Sequence, residues 1–350
     1  MIKENNNMMK FKTLGRSGLK VSELCLGTMG FGTENGWGAD KEVSKQVFDT
    51  YVNAGGNFLD TANFYTKGTS EVFLGEFIAA ERDSYVVATK YSLYENTKQV
   101  NASGNSRKNM MRSVEASLKR LNTGYIDLMY LHIWDNLTPV DEILRGLDDL
   151  VKQGKIMYIG ISDTPAWVIS KANTMAELMG WSQFIGLQVE YSLIQRTVER
   201  ELIPMAQHYN MTVLPWAPLA GGALSGKYLR GERGRIKETS NRLNERSTNI
   251  AREVVNIAND LGVEPSSVAL KWLMQQSFSC IPIVGATKPQ QVAENLKCVD
   301  VTLSDEHMSR LDKISAYDLG FPAAFFEEEA VKKNLFGGFY DNIQHRNFVK

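Results

Sequence analysis

The chain has 350 residues, 43% of them hydrophobic, enough to bury a sizeable core in one large domain or two ordinary ones. Lys and Arg total 39 against 40 for Asp and Glu, so no overall field draws it to nucleic acid or to an anionic membrane. Cys25, Cys280 and Cys298 are too widely spaced for metal ligation and read as reduced thiols. The polar start MIKENNNMMK lacks an apolar signal-peptide core, and no run approaches the roughly 20 apolar residues of a membrane span, so a cytoplasmic protein is expected. Small molecules are the expected partners, and the oligomeric state is left open.

In chain order, short β-branched or apolar runs are each followed by a segment of helical spacing. Residues 23–27 (ELCLG) precede 41–54, where Val43, Val47 and Tyr51 recur every four residues and Gly55-Gly56 forms a stop. Residues 58–60 precede 70–81, and 85–89 (YVVAT) precede 106–121, where Ser106 reads as an N-cap. Residues 126–132 (IDLMYLH) lead to 139–152, with Pro139 in the first turn. The fifth to seventh pairs are 156–161 with 166–179, 186–189 with 199–209, and 212–215 with 248–261. The eighth is 280–284 with 289–296.

Eight β-then-α units predict an α/β fold, a closed (β/α)8 TIM barrel, as one domain over residues 1–350. The alternative, a doubly wound open sheet, usually carries G-x-G-x-x-G after its first strand, and GTMGFG has the wrong spacing. Two regions break the alternation. Residues 229–246 hold six basic and three acidic side chains, which alone reads as a solvated loop. In the tail, 314–350, Gly320, Pro322 and Gly337-Gly338 deny long regular structure, and it is expected to pack on the barrel.

Reacting groups in such a barrel sit at the C-terminal ends of strands. Asp60 ends the second predicted strand, Tyr65 lies in the loop beyond it, Lys90 ends the third (VVATK) and His132 ends the fourth. Singly, each has a bland reading: a surface ion pair, a half-buried aromatic or a core histidine. At successive strand ends they suggest proton transfer. An unperturbed phenol near pKa 10 exchanges protons poorly at neutral pH, a neighbouring ammonium lowers that value, and a carboxylate keeps the ammonium charged. His132 can hold a carbonyl oxygen beside the Tyr65 hydroxyl. GGALSGK, 221–227, contains G-x-x-x-x-G-K, but Tyr228 stands where a nucleotide-triphosphate loop needs Ser or Thr. Only four His are present and only His132 is at a strand end, so no metal site is read and a metal-dependent barrel hydrolase is disfavoured.

Asp60, Tyr65, Lys90 and His132, in the contexts DTANFY, ATK and LH, resemble the catalytic tetrad of the aldo-keto reductases. The resemblance runs from about residue 10 to about 311, and GISDTPAW and LPWAPLAGGALSGKY look most like its aryl-alcohol dehydrogenase-like branch. It implies an NADP-dependent oxidoreductase of the EC 1.1.1 class that reduces aldehydes or ketones, with NADPH giving hydride to the carbonyl carbon and Tyr65 protonating the oxygen. By the same resemblance Ser162 and Gln188 would hold the nicotinamide carboxamide and Trp216 would stack on its ring, a use to which a rigid aromatic face is suited. Asp163 stands where much of the family has Asn, so it could accept from the carboxamide but not donate to it. Leu219, Gly221 and Lys227 would approach the pyrophosphate. Thr287 and Lys288 would meet the 2′-phosphate and Gln291, Glu294 and Asn295 the adenosine, at a helix N-terminus that favours phosphate. Many relatives place Arg at the position of Gln291, so the NADPH preference should be modest.

Phe31, Trp37, Tyr94 and Trp134 fall in predicted loops after strands and would wall an apolar pocket suited to aryl or medium-length aliphatic carbonyls. A rival from another class is a regulatory NADPH-binding subunit, because potassium-channel β-subunits resemble this family and share the barrel. The physiological substrate and favoured direction are not legible.

Overall fold

The computed structural model describes residues 9–343 apart from 96, 233, 235 and 238, so three charged residues of the 229–246 segment and the end of the tail lie outside it. The first elements, which the periodicity did not predict, are β1 (Phe11–Thr13) and β2 (Lys20–Ser22), an antiparallel hairpin. Its loop passes so close to the barrel floor that a Cβ on Gly15 would lie 2.2 Å from the Ile185 carbonyl oxygen. Only glycine suits this position, which also has φ +54. Leu14 and Val21 enter the interior with Cys25, Phe58, Leu128, Tyr130 and Leu214, so the hairpin plugs the N-terminal end.

The next eight strands are β3 (Cys25–Gly27), β4 (Phe58–Asp60), β5 (Val86–Tyr91), β6 (Ile126–Leu131), β7 (Ile156–Ser162), β8 (Phe184–Glu190), β9 (Thr212–Trp216) and β10 (Ile283–Gly285). They pair in parallel in the order β10-β3-β4-β5-β6-β7-β8-β9. The gap between β9 and β10 is bridged where Val213 N donates to the Ser279 carbonyl (2.9 Å) and Ile281 N to the Val213 carbonyl (2.9 Å). This is the expected (β/α)8 barrel. The predicted eighth strand, 280–284, is split: Pro282 has no N–H for the ladder, leaving a single bridge at Cys280 before β10.

Around the strands run α1 (Lys41–Asn53), α2 (Thr69–Ile78), α3 (Arg107–Leu121), α4 (Val140–Lys152), α5 (Ala166–Met179), α6 (Leu202–His208), α7 (Glu245–Leu261), α8 (Pro265–Met274) and α9 (Pro289–Leu296). Ser106 caps α3 by accepting from Asn109 N, as its position predicts. Pro139 is the residue before α4 rather than its first turn. The predicted 199–209 helix begins as a separate 3-10 turn, Thr197–Glu199. The sequence reading missed α8, whose Val268, Leu270, Trp272 and Leu273 are buried in the layer between sheet and helices. Inside the barrel the Tyr130 ring fills space that only glycines leave, since a Cβ on Gly160 would lie 2.4 Å from its Cε1.

After α10 (Asp305–Ile314) the tail is gripped by Arg196, which donates to Ser315 Oγ (2.7 Å), and by Arg246, which donates to the Ser315 carbonyl (2.7 Å). Beyond it α11 (Ala323–Glu327) and α12 (Glu329–Phe336) contain no buried residue. Among the described residues no helix is long and apolar enough to cross a membrane.

Candidate active site

Parallel pairing sets the ends of β4, β5 and β6 side by side and brings their polar residues to one place. Lys90 is completely buried, and its Nζ donates to Asp60 Oδ2 (2.5 Å), the Thr61 carbonyl (2.8 Å) and Tyr65 Oη (3.1 Å). The same ammonium lies 4.7 Å from the centre of the Tyr65 ring. The His132 ring meets that of Tyr65 edge to face, 6.0 Å between centres. Tyr65 opens a turn, Tyr65–Gly68, in which Thr66 and Lys67 have φ +46 and +56.

Electrostatics partly corrects the expectation for the phenol. Burial raises the Tyr65 pKa above the ordinary value, and the opposing pull of Lys90 does not cancel it. The physical reason is that a buried phenolate loses hydration while the Lys90 charge is already shared with Asp60. Burial acts to lower the Lys90 pKa, but Asp60 and Tyr65, by charge and hydrogen bonding, outweigh it and raise the value. Burial, then the nearby Lys90 charge, lowers His132 to about 3, so its imidazole is neutral at pH 7 and one ring nitrogen carries a proton.

The ends of β7, β8 and β9 complete the ring. Gln188 Nε2 donates to Asp60 Oδ1 (2.8 Å), tying β8 to the Lys90 pair. Asp163, at φ +38, accepts from the Trp216 indole N–H (3.1 Å). Arg242 from the charged segment pairs with Glu190 at the end of β8, and its guanidinium carbon lies 5.9 Å from the Trp216 ring centre. Among the described residues, Ser162 Oγ and His132 Nδ1 are two of the buried side-chain polar atoms that have no hydrogen-bond partner. Unpaired buried polar atoms are costly, so each of the two is suited to a polar partner supplied by a ligand.

Leu219, Gly221 and Lys227 belong to the loop after β9. Gly221 and Gly222 have φ +69 and +92, and Lys227 Nζ curls back to within 2.5 Å of where a Gly222 Cβ would stand. A cavity of about 600 Å³ lies between this loop and α7, lined by Tyr228, Leu229, Ile236, Lys237 and Leu243, away from the tetrad residues. Thr287 and Lys288 precede α9. Thr287 N donates to Gln291 Oε1 (3.0 Å), Lys288 and Glu294 are exposed, and Asn295 is buried. The donors, the aromatic face, the glycine-lined loop and the basic helix start suit a dinucleotide.

The four aromatic wall candidates differ in burial. Phe31 is fully buried with its ring 6.1 Å from Phe77, and Trp134 is packed against the main core. Trp37 and Tyr94 are 36% and 51% exposed, Tyr94 against Phe64 (5.2 Å). The sequence reading also missed Glu190, Arg242, Glu71, Glu95 and Arg120. Glu190 ends β8 and the others are ordinary charged residues in loops or helices, and no local pattern marks any of them.

Residues 23–316 match the Aldo/keto reductase family. The chain is 39% identical over 332 residues to the aryl-alcohol dehydrogenase (NADP+) of Phanerodontia chrysosporium, covering 88% of this chain and 86% of that one. It is 36% identical over 324 residues to the norsolorinic acid reductase of Aspergillus flavus (89% and 82%) and 35% over 316 residues to an aryl-alcohol dehydrogenase of Pestalotiopsis microspora (88% and 82%). This chain therefore belongs to the aldo/keto reductase family. Its likeness to these relatives fits the aryl-alcohol dehydrogenase-like branch.

Proposed function

We propose that the protein reduces aldehydes or ketones to alcohols with NADPH, Tyr65 being the proton donor. The carrying observation is the Tyr65 hydroxyl 3.1 Å from a buried Lys90 ammonium that is itself paired to Asp60. The relatives named for aryl-alcohol and norsolorinic acid chemistry, one of them for NADP+, support the reaction class and cofactor.

A bound reduced nicotinamide supplies hydride to the carbonyl carbon. Neutral His132 donates a hydrogen bond to the carbonyl oxygen and orients it toward Tyr65. As negative charge grows on that oxygen, Tyr65 gives up its proton, and Lys90 stabilises the phenolate left behind. A phenol kept protonated by burial suits an acid, and Lys90 lowers the cost of the transfer. Asp60 holds Lys90 in place and Gln188 holds Asp60. Ser162 and Gln188 would bind the carboxamide, with Asp163 as a further acceptor, and Trp216 would stack on the ring. Leu219, Gly221 and Lys227 would reach the pyrophosphate, and Thr287, Lys288, Gln291, Glu294 and Asn295 the adenosine end. Exposed Trp37 and Tyr94 are the wall candidates that a substrate could meet directly.

The test is NADPH oxidation against aromatic, aliphatic and sugar aldehydes, with Tyr65→Phe as control. The variant should lose turnover by about 10²- to 10⁴-fold while NADPH affinity stays within about twofold. Near wild-type turnover in Tyr65→Phe would sink the mechanism.

A further inference from the structure

We propose that Arg120, on α3, is a positioning residue that braces the Tyr65 turn against the Lys90 strand; this rests on the reading of Tyr65 as proton donor. The turn needs bracing. Thr66 and Lys67 are consecutive non-glycine residues in the left-handed region, a conformation that persists only when the surroundings over-determine it. From the front, Thr66 Oγ1 donates to the Phe31 carbonyl (2.7 Å) and accepts from Ser70 N (3.1 Å).

From behind, Arg120 reaches both halves of the proton relay. Its side chain lies flat on the turn, with Cδ 2.8 Å from where a Cβ on Gly68 would stand. Its Nε donates to Glu71 Oε2 (2.6 Å), and the other oxygen of this fully buried carboxylate accepts from the Thr89 hydroxyl (2.6 Å), one residue before Lys90. Its Nη2 donates to Glu95 Oε1 (3.0 Å), which also accepts from Asn63 Nδ2 (3.1 Å), two residues before Tyr65. Asn63 N in turn donates to the Lys90 carbonyl (3.2 Å). Arg112 stands 3.5 Å from the second Glu95 oxygen, so two cations face two carboxylates.

One guanidinium fork thus connects the Tyr65 loop, the Lys90 strand and the loop after it, which a lysine could not do with the same geometry. The 3.1 Å contact between Lys90 Nζ and Tyr65 Oη is the distance this brace maintains. Small displacements at such a contact are costly to the rate.

Arg120→Met strips buried Glu71 of its counter-ion and is the variant at risk of not folding, so Glu95→Gln and Arg120→Lys carry the test. Glu95→Gln keeps the shape and weakens the arm to Asn63. With NADPH and an aromatic aldehyde, both should lower kcat by about 10- to 100-fold, with KM and NADPH Kd within about twofold. The pH profile of kcat should move as the phenol departs from Lys90, and Arg120→Lys should keep more turnover than Arg120→Met. Wild-type kcat and pH profile in both variants, with only a lower melting temperature, would reduce the cluster to a structural ion pair and overturn the proposal. If wild-type protein turns over no carbonyl, the functional reading fails, and crystal structures decide the brace separately. A Lys90–Tyr65 separation lengthened in Glu95→Gln supports it, and one unchanged from 3.1 Å overturns it.

Discussion

Lys90 is a cation with no route to water, and its three acceptors are what let it stay charged. Lys90→Met should destabilise the fold by about 3–5 kcal/mol, because Asp60 becomes a buried charge without a counter-ion. The same change should lower kcat at least about 100-fold by removing the group that stabilises phenolate. Adding Asp60→Asn should restore much of the stability, read by urea titration, and none of the turnover. Recovery of both would mean that Lys90 acts only through packing. At the cofactor end, exposed Lys288 stands just before α9, while Gln291 is engaged by Thr287 N. Lys288→Ala should weaken NADPH binding by about 1.5–3 kcal/mol, roughly ten- to a hundredfold, and barely affect NADH. Equal loss for both cofactors, measured by fluorescence titration, would reassign Lys288 to a pyrophosphate or structural role.

At the scale of elements, the N-cap of α7, Asn244, lies two residues after Arg242. Asn244 and Ser247 cap each other there: Asn244 Oδ1 accepts from Ser247 N (2.9 Å) and Ser247 Oγ from Asn244 N (2.8 Å). Asn244→Ala should cost about 1 kcal/mol in chemical denaturation. A loss below about 0.3 kcal/mol would show that neighbouring contacts hold this turn without the cap. Most elements were legible because apolar residues recur at helical spacing, as along α3, or form a short continuous run, as in β6, whose six residues are all buried. The β1–β2 hairpin and α8 escaped for different reasons. Three-residue strands are too short to show alternation, and α8 has no strand of its own before it, so a strand-then-helix count passes over it.

For the whole molecule, burial of neutral His132 makes stability depend on pH. Its folded pKa, about 3, lies below the unfolded value near 6.5, so the unfolded chain takes up a proton first as pH falls. Its contribution is complete above about pH 6.5 and is lost progressively below, by about 2 kcal/mol between pH 6.5 and 5. His132→Asn should flatten that part of the stability curve. An equal slope in wild type and variant over this window would place the acid sensitivity elsewhere.

Residue order and hydrophobic period were enough to determine the barrel and to nominate Asp60, Tyr65, Lys90 and His132, since strand ends in a parallel barrel converge whatever the loops do. Ser162, Gln188 and Trp216 were nominated through family resemblance; Ser162 and Trp216 end β7 and β9, and Gln188 lies two residues before the end of β8. What the tertiary structure alone decided is which remote charges lean on that ring: Arg120 with Glu71 and Glu95 behind Tyr65, and Arg242 with Glu190 beside Trp216. It also decided that Phe31 is core and that burial, not Lys90, sets the net direction of the Tyr65 pKa. These depend on proximity across elements distant in sequence and on how much water each group loses, and neither quantity is written in any local pattern of residues.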